Sequence, residues 1–154
     1  MRNILLIFTL VTTLSLTGTG QSDKKLADGV IAITKAQWSA ADQRNITEAM
    51  RNVADEYTEF NPTYSTRLDG KALITRLSEA EAGGSDQNVV AEMANEKVQA
   101  YADVAVLSYN YVGAVKDKNG KINPRRAKST RVYVKKGGKW MLVHANFGAD
   151  PVNN

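Results

Sequence analysis

The fold is decided by residues 128–147, which read KSTRVYVKKGGKWMLVHANF. Aliphatic, β-branched and aromatic residues recur in both halves of this stretch, and the branched and aromatic ones favour extended backbone because they pack well on a pleated surface. The residues Lys136-Gly137-Gly138 between the halves predict a turn. The stretch therefore predicts two antiparallel strands, Lys128–Lys135 and Lys139–Phe147, joined by a tight turn.

The residues before this hairpin predict two further strands. Residues Val89–Tyr101 read as extended backbone, Ala102-Asp103 as a turn and Val104–Val115 as a strongly β-favouring strand. The segment Asp117–Gly120 ends in the Asn-Gly pair that is typical of a tight hairpin. We therefore expect the second half of the chain to be a meander of four antiparallel strands.

A first helix is predicted over residues 23–41. Its apolar residues recur at helical spacing in one stripe, and a second stripe lies about 100° or more around the same helix. The first stripe contains Leu26, Val30, Ile33 and Ala40, and the second contains Ile31 and Trp38. Two apolar sides predict a helix that packs between a sheet and another helix.

A second helix is predicted from residue 46 to Phe60. Asn45 followed three residues later by Glu48 is a capping-box arrangement. Asn61-Pro62 would end this helix, because proline donates no backbone hydrogen bond. The apolar stripe of this helix would contain Ile46, Met50, Val53, Tyr57 and Phe60.

A third, shorter helix is predicted between Asp69-Gly70 and Gly83-Gly84. Its apolar residues are Leu73, Ile74 and Leu77. Helices first and strands second predict an α+β fold, with three N-terminal helices packed on one face of a curved antiparallel sheet.

The composition places these elements in one globular domain and excludes several kinds of site. The chain has 154 residues, of which 43% are hydrophobic, and domains usually contain about 100–200 residues. It has no cysteine and one histidine, His144, which excludes disulfides, thiolate zinc sites and sites built from several histidines. We expect no metal and no cofactor. The small basic excess is too weak to indicate nucleic-acid binding.

Residues 1–20 have the composition of a secretory signal peptide. One positive charge in Met1-Arg2-Asn3 precedes an uncharged, mainly apolar run over Ile4–Leu16, and small polar residues follow. The run is shorter than the ~20 residues that cross a bilayer. We expect cleavage after Gly20, a mature domain of residues 21–154 and a secreted or periplasmic location off the membrane; an uncleaved N-terminal anchor is the alternative.

The closing hairpin resembles that of nuclear-transport-factor-2-like domains. The residues that carry the resemblance are Thr130-Arg131-Val132, Gly138-Lys139-Trp140 and Val143-His144. Within that superfamily the chain is most similar to SnoaL-like proteins and to the association (hub) domain of calcium/calmodulin-dependent protein kinase II. The order of elements agrees over nearly the whole of residues 21–154, from a helix with a tryptophan to the four-strand ending.

The resemblance implies a cone in which three helices close one side of a curved antiparallel or mixed sheet, with a pocket that opens at one end. It also implies homodimers or larger rings built through the outer face of the sheet. In the kinase association domain, the arginine that matches Arg131 points into the pocket as one of a set that binds carboxylates. Tyr111 and Phe147 stand at the other two matching positions, so the resemblance implies a less cationic and more aromatic pocket here.

Arg131 is the first candidate for a ligand-binding residue. It lies between apolar neighbours in a predicted strand, where a charge is costly unless it is paired or reaches a cavity. One interpretation is a cross-strand ion pair. The other is that Arg131 holds an anionic or carbonyl group of a small ligand, bidentately if the geometry permits.

Aromatic side chains are the remaining candidates for the pocket wall. Small-molecule pockets are commonly apolar with a few polar tips, and two or three aromatic residues are expected to reach the pocket. The candidates are Trp38, Tyr57, Tyr109, Tyr111, Tyr133 and Phe147.

Catalytic candidates are few. His144 shares a strand face with Asn146, and a lone strand histidine is more often a hydrogen-bonded structural residue than a catalyst. Ketosteroid-isomerase relatives use an aspartate base with a tyrosine and a protonated aspartate. Asp55 lies close to Tyr57 in the sequence, so a tyrosine–carboxylate pair in the pocket is the corresponding hypothesis.

We therefore expect an exported domain that binds a small molecule in a hydrophobic and aromatic pocket, without established catalysis. A ketosteroid-isomerase-like or other SnoaL-like enzyme is one alternative, and an oligomerisation module without a ligand is another. The expected partners are a second copy of the chain and a small molecule, not nucleic acid. The fold does not choose between these functions, because one scaffold hosts many of them.

Overall fold

The structure is a computed structural model and describes residues 19–84 and 86–150. In chain order its elements are helices α1 (Thr19–Asp42) and α2 (Ile46–Ala49), strands β1 (Val53–Phe60) and β2 (Leu68–Asp69), helix α3 (Lys71–Ala82), and strands β3 (Gln87–Tyr101), β4 (Val104–Lys116), β5 (Ile122–Lys136) and β6 (Lys139–Ala149). This set of helices and strands confirms the predicted α+β class. The predicted signal peptide falls on residues 1–20, and of these residues 1–18 lie outside the described part.

The four-strand meander is present with the predicted turns. Gly137 and Gly138 have φ values of 54° and 79°, the left-handed conformation that a two-residue hairpin requires at both positions. At the β4–β5 turn, the Asp117 side chain accepts hydrogen bonds from the backbone N–H groups of Asn119 (2.8 Å) and Lys121 (3.0 Å). Strand β5 begins earlier than expected, because its first residues pair with β4 from Ile122 onward.

The predicted N-cap at Asn45 is confirmed, but the other half of the capping box is not formed, because the Asn45 N–H donates to the Ala40 carbonyl at 2.8 Å. Arg44 adopts a positive φ of 59° where α1 ends, a conformation that reverses the chain direction at helix ends. The Asn45 side chain then accepts a hydrogen bond from the Glu48 N–H at 3.1 Å, which satisfies a free donor at the start of α2.

The prediction of a long second helix was wrong. Helix α2 ends after one turn at Ala49, and the residues from Val53 to Phe60 form strand β1 instead. Val53 and Tyr57 are four residues apart, a spacing that serves one face of a helix or one face of a strand equally well. The β-favouring residues of this segment pair with β6, and that tertiary pairing decides between the two.

Six strands form one mixed sheet in the order β2-β1-β6-β5-β4-β3. Strands β3 to β6 are antiparallel neighbours, whereas β1 runs parallel to β6 with Glu59 opposite Ala145. The Leu142 N–H donates to the Asn52 carbonyl at 2.7 Å, and the Asn52 side chain donates to the Trp140 carbonyl at 3.1 Å. The first strand of the chain is therefore fastened beside the last.

The core lies on one side of the sheet, here called the inner face, which α1 and α3 cover. The inner face contributes the buried residues Leu107, Tyr133 and Leu142, and the two helices contribute Val30 and Ile74. A polar pair lies within this core: the Thr34 hydroxyl donates to the Val30 carbonyl (3.0 Å) and contacts the Tyr133 hydroxyl at 2.8 Å. Both side chains are fully buried.

The predicted order, with three helices ahead of all the strands, is not the one that the structure shows. Among the described residues α1 is the only long helix that precedes β1, α2 is a single turn, and α3 lies between β2 and β3. No helix in residues 19–84 or 86–150 combines the length and apolarity that a bilayer crossing requires.

Thr34→Val should destabilise the domain more than Tyr133→Phe. The first change leaves a buried phenol hydroxyl without a partner, which costs about 1–3 kcal/mol. The second leaves Thr34 with its backbone acceptor, and the loss should be about 0.5–1.5 kcal/mol. Urea unfolding of both variants and of the double variant measures the difference, and equal destabilisation by the two single changes would contradict this account of the core.

Candidate functional site

A cavity lies between the helices and the inner face of the sheet. Its volume is about 180 Å³. Helices α1, α2 and α3 supply one wall, and strands β1, β5 and β6 supply the other. The residues on the cavity wall are Gln37, Trp38, Ala41, Ile46, Ala49, Met50, Val53, Tyr57, Glu59, Ile74, Ser78, Arg131 and Phe147.

Arg131 carries the positive charge of this cavity. Its side chain is 5% exposed, and it projects from the middle of β5 on the inner face. Nε donates to the Tyr109 hydroxyl at 3.0 Å and Nη1 donates to the Gln37 Oε1 at 2.5 Å. The guanidinium carbon lies 5.3 Å from the centre of the Phe147 ring, a distance at which the ring face attracts a cation. Neutral groups therefore orient this charge.

Glu59 carries the negative charge of the same cavity. Its side chain is 8% exposed. Oε2 accepts a hydrogen bond from the Tyr57 hydroxyl at 2.8 Å, and Oε1 accepts one from the Asn61 amide at 3.0 Å. Burial, together with the charge and the hydrogen bond of Glu59, raises the pKa of the Tyr57 phenol well above its ordinary value. Tyr57 therefore stays protonated and holds the Glu59 carboxylate in place.

The expected pairing of Asp55 with Tyr57 is not formed. Asp55 is exposed and is absent from the cavity wall, and the carboxylate that Tyr57 contacts belongs to Glu59. Glu59 was missed because the segment was interpreted as a helix. Interpreted as a strand, it would have placed Glu59 on the same face as Tyr57, two residues away.

Arg131 and Glu59 lie in one row across the inner face. Ala145 is the register partner of both residues, in β5 on one side and in β1 on the other. Since register partners point to the same face of a sheet, the two charged side chains flank the small methyl group of Ala145. None of the ion pairs within the described residues includes Arg131 or Glu59. The cross-strand ion pair that was one interpretation of Arg131 is therefore not formed there.

The predicted aromatic residues divide into two groups. Trp38, Tyr57 and Phe147 lie on the cavity wall, as Arg131 does. Tyr109 and Tyr111 support the Trp38 indole from the side, with ring centres 5.6 Å and 5.4 Å away. Tyr133 was expected on the pocket wall, and the structure instead buries it in the core against Thr34.

Tyr111 is displaced from the cavity wall along its own strand. A Cβ atom at Gly113 would lie only 2.6 Å from the Tyr111 hydroxyl, so the ring occupies the space that a side chain at position 113 would need. Tyr111 is half-buried and contacts the edge of Trp38. Tyr111 was expected on the cavity wall, but it packs against Trp38 and is absent from that wall.

His144 lies on the opposite side of the sheet, here called the outer face. Its Nδ1 is 2.8 Å from the Thr58 hydroxyl, and its ring packs edge-on against Phe60 with the centres 6.1 Å apart. His144 is absent from the cavity wall. The structure therefore places this catalytic candidate apart from Arg131 and Glu59.

A wider cleft of about 1070 Å³ adjoins the cavity. The two share Ala41, Ile46 and Ser78, so they are neighbours. Charged residues of both signs line the cleft: Asp42, Arg44, Glu81, Asp86 and Arg125. The described residues contain no group of three acidic or histidine side chains that would hold a metal ion.

Comparison with known proteins places the chain in a family. The family model of the calcium/calmodulin-dependent protein kinase II association domain matches residues 27–151. A calcium/calmodulin-dependent protein kinase type II of Caenorhabditis briggsae is 28% identical over 107 residues, which cover 65% of this chain and 20% of the kinase. The chain thus spans about a fifth of the length of that curated relative.

Solved structures share the fold at low sequence identity. The association domain of the C. elegans kinase superposes with a TM-score of 0.72 at 22% identity, covering 84% of this chain and 99% of that one. A nuclear-transport-factor-2-like protein of unknown function from Pseudomonas putida gives a TM-score of 0.69 at 20% identity, covering 84% and 90%. With this fold and a family match over most of its length, the chain belongs to the calcium/calmodulin-dependent protein kinase II association domain family, within the nuclear-transport-factor-2-like superfamily.

Proposed function

We propose that this protein is a self-associating domain that binds a small molecule in its internal cavity. The observation that carries the proposal is Arg131, a charge at 5% exposure with no carboxylate partner among the described residues. A buried charge is costly unless other groups compensate for it. An acceptor group of a ligand in the cavity would provide that compensation.

The arrangement around Arg131 suits recognition of one anionic or carbonyl group. Nε and Nη1 are engaged by Tyr109 and Gln37, whereas no hydrogen bond of the described residues uses Nη2. A planar guanidinium held on one side by neutral acceptors presents its remaining donors in a fixed direction. The cavity volume of about 180 Å³ corresponds to about six water molecules at ~30 Å³ each, so the ligand is small.

Self-association is the second part of the proposal. The family name refers to association, and the outer face of the sheet is the surface that suits it. There Val106, Val132 and His144 form a half-buried row across β4, β5 and β6, and Phe60 beside them is 49% exposed. Apolar side chains on a surface without covering helices favour contact with another copy of the chain.

Export remains a proposal that rests on the composition of residues 1–20. A charged start followed by an uncharged apolar run and small residues is the pattern that secretion signals share. Cleavage after Gly20 would leave the family-matched region, residues 27–151, intact.

Native mass spectrometry of the purified protein should detect a co-purified small molecule that depends on Arg131. Arg131→Met preserves side-chain bulk but removes the charge, and the loss of a charge-assisted hydrogen bond worth about 1.5–3 kcal/mol should weaken binding about 10- to 100-fold. Arg126→Met changes an exposed arginine of the same strand and should retain the ligand. An adduct that persists in Arg131→Met would contradict the proposed site.

The protein should be a dimer or larger assembly at micromolar concentration in size-exclusion chromatography with light scattering. Val132→Glu puts a charge in the outer-face row and should shift the protein towards monomer. Val89→Glu, at an exposed position of the edge strand β3, is the matched control and should not. A wild-type monomer at this concentration refutes self-association.

Expression of the full chain in a bacterium with a secretion system should yield a processed protein outside the cytoplasm. Intact-mass measurement is expected to give a chain that begins at Gln21. A full-length chain retained in the cytoplasm would reject the export proposal without affecting the ligand or the assembly proposal.

A further inference from the structure

Two opposite buried charges face one small cavity in this protein. Arg131 and Glu59 are 5% and 8% exposed, and both lie on the cavity wall. They stand in one inner-face row with β6 between them. Strands in a sheet are ~4.8 Å apart, so their Cα atoms are separated by about 10 Å. Ala145 between them has only a methyl group and is fully buried, while both charged side chains reach the cavity wall.

The two charges do not neutralise each other by direct contact within the described residues. Each is bound by uncharged groups, Arg131 by Tyr109 and Gln37 and Glu59 by Tyr57 and Asn61. A carboxylate has about four lone-pair sites and a guanidinium has five donors. Each group therefore retains hydrogen-bonding capacity that can be directed into the cavity.

We propose that the ligand is a small zwitterion whose carboxylate binds Arg131 and whose ammonium group binds Glu59. This inference rests on the proposed ligand-binding function and specifies the ligand class. A zwitterion supplies an opposite charge to each buried group without changing the net charge of the cavity. A simple carboxylate would add a second negative charge near Glu59, and repulsion between like charges would oppose its binding.

The surroundings of the two charges suit this class of ligand. Tyr57 holds the Glu59 carboxylate at 2.8 Å and remains a donor, because the pKa of its phenol is raised. Ile46, Met50 and Val53 on the cavity wall offer apolar contacts for a methylene chain that joins the two ligand groups. The adjoining cleft carries Arg44 and Arg125 as well as Asp42 and Asp86, so it does not repel either end of a zwitterion.

Isothermal titration calorimetry with straight-chain ω-amino acids of three to six carbons tests the proposal. Each amino acid is compared with the straight-chain carboxylic acid of the same length, which lacks the ammonium group. At neutral pH, the best amino acid should bind the wild-type protein at least ~10-fold more tightly than its matched acid, because one more charge-assisted contact is made.

Two substitutions at Glu59 test whether this residue binds the ammonium group of the ligand. Glu59→Gln should remove the preference for the amino acid over its matched acid. Glu59→Asp retracts the carboxylate by one methylene, so the preferred amino acid should become one carbon longer; this variant decides the question if Glu59→Gln does not fold. Glu56→Gln changes an exposed carboxylate of the same strand and should leave the preference unchanged.

The possible outcomes separate this inference from the proposed function. Equal affinity for acid and amino acid, with both lost in Arg131→Met, overturns the zwitterion but leaves Arg131 as a ligand-binding residue. No binding of either series at millimolar concentration overturns the zwitterion inference, whereas the proposed function is overturned only if native mass spectrometry also shows no ligand that depends on Arg131. A preference for the amino acid that survives Glu59→Gln assigns the ammonium group to another residue and also overturns the inference.

Discussion

The pairing of strand β1 with strand β6 is the interaction on which the rest of this structure depends. The two strands are parallel and lie far apart in the chain, and they are joined through Asn52, whose backbone and side chain both bond to β6. The pairing brings the segment between α2 and α3 to the sheet and so fastens the helices over its inner face. It also places Glu59 beside Ala145, and through Ala145 in the same row as Arg131. Without this pairing Arg131 would line the cavity but Glu59 would not.

The inner face contains two kinds of buried polar pair, one neutral and one charged. The Thr34 and Tyr133 hydroxyls satisfy each other in the core. Arg131 and Glu59 are also hydrogen-bonded, but their charges are not matched by direct contact. A satisfied neutral pair stabilises a fold at modest cost, whereas separated buried charges do not. That contrast distinguishes the structural polar pair from the one to which we assign a ligand.

The family relationship explains the fold, whereas the individual side chains of the cavity determine which ligand would bind. The association domain family accounts for the arrangement of helices on the mixed sheet. Glu59, Tyr111 and Phe147 belong to this chain's own cavity and its surroundings. An arginine and a glutamate beside aromatic rings determine the chemistry of this cavity. Ligand preference is therefore a property to be sought in the side chains and not in the fold.

The four-strand meander could be predicted because the sequence signals for its turns and strands are local. The Gly137-Gly138 turn, the Asp117 turn and the alternating β-favouring residues act over a few positions each, and all appear in the structure as expected. The cap at Asn45 is local in the same way. Strand β1 could not be predicted from such signals, since its apolar spacing suited a helix as well.

By itself, the sequence determined the α+β class, the four-strand ending and the presence of an arginine in an apolar strand. The tertiary structure alone decided that residues 53–60 form a strand, that Glu59 and not Asp55 binds Tyr57, and that Tyr133 lies in the core. The physical reason is the range of the interactions. Turns and caps depend on neighbours within a few residues, but the position of β1 depends on hydrogen bonds to a strand more than eighty residues later, and only the folded chain brings those groups together.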